Sequence, residues 1–277
     1  MEKKKILYVS QEICPYMNES AMGTLSSALP QLMQESGKDI RIFLPRFGTV
    51  NERRHQLHEV IRLSGMNLII DDFDHQLIIK VASIQQQRMQ VYFIDNEEYF
   101  PRRQMFHDHE GNLLKNNDER MIFYCKGVIE TVRKLGWKPD IIHCQGWMSS
   151  LVPMYIKKLY NEDPLFENVK VIYSVFDNGF KGTLSDSLAE KLLYEDLTNK
   201  DVDGVRKSDI VSLHKFAISY ADAIIQASPK INKKVLSFIE STEKPFMNYP
   251  GNEDYIASYQ DFYNNIIKEE EVVLVES

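Results

Sequence analysis

Six short runs constrain this chain more than any other feature: KKILYVS, DIRIFLP, RMQVYFID, DIIHC, KVIYSV and DAIIQAS. The first begins with charge and then becomes continuously apolar. A strand with one face in water alternates apolar and polar residues, so an unbroken run predicts a strand covered on both faces. Between the first two runs lies TLSSALPQLMQESG, whose apolar residues recur at helical spacing and whose Gly37 is placed to end a helix. Strand, helix, strand in succession predicts a parallel sheet with right-handed crossovers.

The middle of the chain changes character. EVIRLSGMNLII, DHQLIIKVASI and RMQVYFID follow one another with no helical segment between them, which predicts antiparallel hairpins inserted at one edge. From about Asp118, ERMIFYCKGVIETVRKLGW returns to helical spacing. Helices are expected over SSLVPMYIKKLY, SDSLAEKLLYEDL, SDIVSLHKFAISYA and SPKINKKVLSFIE. Residues 253–269 carry Tyr255, Ile256, Tyr259, Phe262, Tyr263, Ile266 and Ile267, an amphipathic helix that closes the fold. The expectation is one α/β, Rossmann-like domain over residues 1–269 with a mostly parallel sheet, followed by a tail at 270–277 that frays.

Charge and cysteine usage narrow the function classes. The net charge is −7 with scattered basic residues, which leaves no electrostatic footprint for nucleic acid. The apolar run after Lys3, Lys4 and Lys5 is too short for a signal peptide, and no run reaches the roughly 20 residues of a membrane span. Cys14, Cys125 and Cys144 are odd in number and irregular in spacing, which points to a reduced, cytoplasmic setting.

Candidate sites lie in loops after strands. The first such loop, QEICPYMNESAMG, offers Gly23 preceded by Ser20 and Ala21, without G-x-G-x-x-G or a P-loop. It reads either as an ordinary loop or as a phosphate site at a helix N-terminus. His107, Asp108 and His109 lie in the polar stretch FHDHEGN, without the ligand spacing of a metal site. Cys125 falls on an apolar helix face, and Cys144 has no activating base near it in sequence. His143, Gln145 and Trp147 close the DIIHC strand, at the edge where open α/β sheets bind ligands, and Asp177, Asn178 and Lys181 follow KVIYSV at an equivalent edge. Trp147 also suits packing. No metal or cofactor is expected.

In order, KILYVSQEICPY, SALPQL, DIRIFLPRFGTV, VYFIDNEEYF, NNDER, GWKPDIIHCQGW with LVPMYIK, and ADAIIQASP resemble the N-terminal half of bacterial glycogen synthases and plant starch synthases. These are family-five glycosyltransferases of the two-domain GT-B type. The resemblance runs from residue 4 to about residue 250. It implies a Rossmann-like fold and descent from an enzyme that moves glucose from ADP-glucose or UDP-glucose onto an α-1,4-glucan.

Three of the family's motifs differ here. Where the family carries Lys-Thr-Gly-Gly in the first loop, alignment on Pro15 and Pro30 places Asn18, Glu19, Ser20 and Ala21. Those positions, with Glu12 and Gly23, are the nucleotide-sugar candidates. The family's His-Asp-Trp becomes Gln145, Gly146 and Trp147, and its Ile-His-Asn becomes Val175, Phe176 and Asp177. His143, Gln145, Trp147, Asp177 and Asn178 are the sugar-subsite candidates. Gln145 and Phe176 stand at family catalytic positions without the family's chemistry. The family's second domain has no counterpart expected within these residues. Two readings follow from the resemblance. One is a protein of glucan metabolism, non-catalytic alone, that binds glucan, a partner protein or another copy of itself. The other is an active glucosyltransferase completed by a partner chain that supplies the second domain.

Overall fold

The computed structural model describes residues 3–84, 89–101, 104–194, 196–251 and 255–276. β1 (Lys5–Ser10) leads through α1 (Ala21–Glu35) into β2 (Asp39–Pro45), which lies parallel to it with Lys5 opposite Asp39 and Val9 opposite Phe43. β3 (His58–Glu59), β4 (Met66–Ile70), β5 (Phe73–Ile84) and β6 (Met89–Asp95) come next. β6 joins β2 in parallel, while β5 runs antiparallel to β6 and pairs antiparallel with both β3 and β4. The inserted antiparallel region therefore sits at one edge, as the missing helices implied.

The remaining elements are α2 (Asn117–Leu135), β7 (Ile141–Gln145), α3 (Val152–Lys158), β8 (Lys170–Val175), α4 (Leu188–Leu192), α5 (Asn199–Val202), α6 (Ile210–Tyr220), β9 (Ala223–Gln226), α7 (Lys233–Glu240), β10 (Phe246–Met247) and α8 (Tyr255–Glu276). The sheet order is β10-β9-β8-β7-β1-β2-β6-β5-β3, with β4 on β5. From β1 the chain moves outward through β2, then returns on the other side of β1 as β7. The strand order thus reverses between β1 and β7.

Each face of the sheet is covered. Val9, Phe43, Cys144 and Tyr173 face one core with α2, α3 and α6, and Ile6, Tyr8, Ile42 and Ile172 face the other with α1 and α8. α8 docks through Tyr259, Tyr263, Ile266 and Ile267, all buried, and its backbone stays helical to Glu276, past the expected end at 269. Within NNDER, Arg120 is fully buried. Its Nε donates to the Tyr99 carbonyl at 2.8 Å, and one terminal nitrogen donates to Asn117 Oδ1 at 2.7 Å. The neighbouring Asp118 and Glu119 carboxylates take the Lys191 ammonium at 2.7 and 2.6 Å. This motif ties α4, Tyr99 and Phe106 to α2.

Several helices differ in extent from expectation. α1 starts at Ala21 because Ser20 caps it, and it ends before Gly37, whose φ is +91°. α3 starts at Val152 with Pro153 in its first turn, after a 3-10 turn over Trp147–Ser149. α7 starts at Lys233, where the Asn232 side chain accepts from the Lys234 N–H at 2.9 Å. SDSLAEKLLYEDL yields only α4: Leu188, Ala189 and Leu192 are buried but Tyr194 is exposed, and so short a helix forms only where packing supports it. Among the described residues no helix is long and apolar enough to cross a membrane.

Candidate functional site

Open α/β sheets bind ligands beyond the C-terminal strand ends where the strand order reverses. Here that place lies above Ser10 of β1 and Gln145 of β7, and protein atoms occupy it. The Gln11 N–H donates to the Gln145 carbonyl at 3.1 Å, so the two chains stay paired one residue past the strand. Gly146 follows with φ +88° and ψ 164°, a conformation open essentially to glycine. A Cβ there would lie 2.8 Å from Gln11 Oε1 and 2.9 Å from the Met22 methyl carbon. Gln11 Oε1 also accepts from the Met148 N–H at 3.2 Å. Gln11 and Met22 thus close over the switch point against bare backbone.

The first loop is held by a chain of hydrogen bonds. Ser20 Oγ accepts from the Gly23 N–H at 2.9 Å and donates to Glu12 Oε2 at 2.6 Å, while Gln11 Nε2 donates to Glu12 Oε1 at 3.2 Å. A helix N-terminus attracts anions through its free N–H groups and dipole. At α1 that position is taken by the chain's own hydroxyl, backed by its own carboxylate. Gly23 is a packing glycine: a Cβ on it would meet Cys14 Sγ and Ser20 Oγ, each at 3.1 Å.

Two cavities flank the loop. One, of 590 Å³, lies between Glu19, Ser20 and Ala21 and the tyrosines Tyr249, Tyr255 and Tyr259. The other, of 460 Å³, is bounded by Glu12, Asn18, Glu19, Met105 and His107. Among the described residues neither is lined by lysine or arginine, and each includes Glu19.

The candidates after β7 and β8 separate. His143 lies in the interior under α8, not in the crevice that its place near a strand end suggested. Its Nε2 meets Ser174 Oγ at 2.6 Å and its Nδ1 meets the Tyr263 hydroxyl at 2.7 Å. Strand side chains stand perpendicular to the sheet, so a residue two short of the end points into the core rather than over the edge. Burial pushes its pKa down to about 3, which keeps the ring neutral. Gln145 Oε1 accepts from Ser10 Oγ at 2.5 Å, and its Nε2 is buried without a hydrogen-bond partner among the described residues. Trp147 is core, packed between Phe106 and Phe180 with ring centroids 4.9 and 5.0 Å away. Phe176 is buried beside the α1 and α8 core.

Asp177 is exposed, its N–H donating to Ser228 Oγ at 3.0 Å, and Asn178 Nδ2 points to the Met22 sulfur at 3.6 Å. Lys181 is exposed. The structure therefore brings Glu12, Ser20 and Gly23 together in one chain of hydrogen bonds, sets Asn178 against Met22, and sends His143 and Trp147 into packing. Sequence reasoning missed Gln11 and Met22. The signal for Met22 was its place in the first turn of a helix that begins right at the loop.

Elsewhere, His107 and His109 are exposed on a turn that Asp108 organises by accepting from the Glu110 and Asn112 N–H groups, each at 2.9 Å. Cys125 and Cys144 are buried, and burial pushes both thiols up, away from the reactive thiolate.

A family model described as the starch synthase catalytic domain matches residues 5–244. The glycogen synthase of Chlorobium luteolum is 39% identical over 195 residues, covering 70% of this chain and 40% of that protein. That of Chlorobium limicola is 37% identical over 225 residues, covering 81% of this chain and 45% of that protein. The chain spans less than half the length of these relatives. Among solved structures, the catalytic domain of starch synthase IV from Arabidopsis thaliana, bound to ADP and acarbose, shares the fold with a TM-score of 0.73. That match has 18% identity and covers 90% of this chain and 51% of that one. With most of its length matched by the family model and its sequence this close to glycogen synthases, the chain belongs to the starch synthase catalytic-domain family.

Proposed function

We propose that this domain serves glucan metabolism by binding α-glucan and does not itself hold a nucleotide-sugar donor for transfer. The observation that carries the reading is electrostatic. Glu19 lines both cavities beside the first loop, Glu12 lines the smaller one, and no described lysine or arginine lines either. A nucleoside diphosphate brings several negative charges, and like charge in a partly desolvated cleft repels it. Three further features agree. Asn18 stands where the family has lysine, Ser20 and its partner Glu12 occupy the helix N-terminus, and Gln11 and Met22 fill the switch point. Phe176, at the family's histidine, offers a hexose no hydrogen bond.

The 590 Å³ cavity suits a neutral sugar better. Tyr249, Tyr255 and Tyr259 supply aromatic walls, and Ser20 and Thr24 supply hydroxyls. The relatives named glycogen synthases and the ADP- and acarbose-bound starch synthase IV domain make glucan the expected ligand class. The test is to incubate the pure protein with ADP-glucose or UDP-glucose and glycogen, and to titrate it with maltooligosaccharides by calorimetry. No glucan-dependent nucleotide release is expected, while maltooligosaccharides give heat that Tyr255→Ala reduces. Nucleotide release above background sinks the non-catalytic reading, and absence of heat sinks the glucan one.

A further inference from the structure

A cavity of 540 Å³ lies at the opposite edge of the sheet, around the N-terminal ends of β1, β2 and β6. Lys3, Lys5, Lys38 and Arg41 line it. Among the described residues that line it, the one carboxylate, Asp39, already accepts from Trp137 Nε1 at 2.9 Å. Lys3, Lys38 and Arg41 around one concavity are a concentration of positive charge in a chain whose net charge is −7. Gathering them costs Coulomb repulsion that an anion relieves.

Arg41 is the anchor. Its guanidinium lies 5.6 Å from the Tyr92 ring centroid and 5.2 Å from that of Trp137, and it donates to the Tyr92 hydroxyl. Two aromatic rings thus fix the plane of a group whose parallel N–H donors match phosphate oxygens. Its Nε is buried with no hydrogen-bond partner among the described residues. Lys38, also on the lining, donates to Ser36 Oγ at 3.2 Å, and burial pushes its pKa down. Gln34 and Gln90 add amide donors to the wall.

We propose that this basic cavity binds a small phosphorylated compound, with Arg41 and Lys38 on the phosphoryl oxygens and Lys3 neutralising the remaining charge. Three cations are more than a monocarboxylate needs. The concave shape excludes the long, flat contact that a nucleic acid backbone makes. The site is independent of the glucan reading, because it lies at the other end of the strands.

The experiment is calorimetric titration of the full chain with inorganic phosphate, glucose 1-phosphate and ADP, with glucose as the neutral control, at low and high salt. At least one phosphorylated probe is expected to bind, more weakly as salt rises, while glucose gives no heat. Equal affinities for the three assign the site to the bare phosphoryl group. Tighter glucose 1-phosphate or ADP shows that the rest of the molecule is held as well. Losing the Lys38 contact and the neutralising charge of Lys3 in the double variant Lys3→Gln, Lys38→Gln weakens binding by about tenfold or more. Arg41→Lys, which keeps the charge but loses the fork, weakens it less. Circular dichroism establishes that each variant is folded. No salt-sensitive binding of any phosphorylated probe overturns the proposal, and so does binding that the folded double variant leaves unchanged.

Discussion

At the C-terminal edge of the sheet, Glu12 and Glu19 line cavities that contain no described lysine or arginine, whereas at the N-terminal edge Lys3, Lys5, Lys38 and Arg41 surround one. The first edge is where the topology of an open α/β sheet places ligands, because the strand order reverses there. The second is where such sheets ordinarily do nothing. Topology supplies a crevice, but side chains decide whether an anion can enter it. In this chain the two have come apart. The crevice at the switch point is filled by Gln11 and Met22 and guarded by carboxylates, and the positive charge has gathered at the other end of the same strands.

The sharpest way to break this contrast is to place a carboxylate at the switch point. Gly146→Asp puts a side chain on backbone that only glycine tolerates and drives its Cβ into Gln11 and Met22. The strained backbone costs about 1–3 kcal/mol and overpacking about as much again. Thermal unfolding is expected to drop by about 10 °C. An unchanged melting temperature means that the switch point is open after all.

A second measurement tests where the edge stops and the interior begins. Burial pushes the pKa of His143 down to about 3, and that of His214 down to about 4. Both rings are neutral in the fold, while the unfolded chain protonates near pH 6.5. Between pH 6.5 and those depressed values the unfolded state binds more protons, so stability falls as pH falls. The expected loss is about 2 kcal/mol per histidine between pH 7 and pH 5. Urea midpoints across that range read it, and His143→Phe should flatten the profile relative to wild type. A profile that the substitution leaves as steep would place His143 in contact with water.

The smallest effect concerns the helix start. Ser20→Ala removes the hydroxyl that caps α1 and frees Glu12. A cost of about 1 kcal/mol is expected, seen as a shift in urea midpoint at unchanged slope. A neutral substitution would show that the α1 N-terminus is already open to an outside anion, and the contrast between the edges would weaken.

Much of the architecture was legible in the residues. KILYVS, KVIYSV and AIIQ are strands because burial on both faces leaves little polar alternation, DIRIFLP and DIIHC end in equally buried residues, and all of them pair in parallel. The run of strand-like segments without helices was legible for the same reason. Helix limits were not, because the caps are single side-chain contacts, Ser20 to the Gly23 N–H and Asn232 to the Lys234 N–H. The loops after β1, β7 and β8 were legible as places to look, because they follow the C-terminal ends of parallel strands. The filling of the switch point was not, since Gln11, Met22 and Gly146 meet from separate elements.

The sequence by itself determined the α/β class, the parallel strands and the family, because these are properties of local pattern and residue type. Only the tertiary structure decided where His143 points. Its partner Tyr263 is 120 residues away, and nothing local records that contact. The fold likewise decided that Lys3, Lys5, Lys38 and Arg41 share one cavity, because two strands must lie side by side before their starting residues can meet.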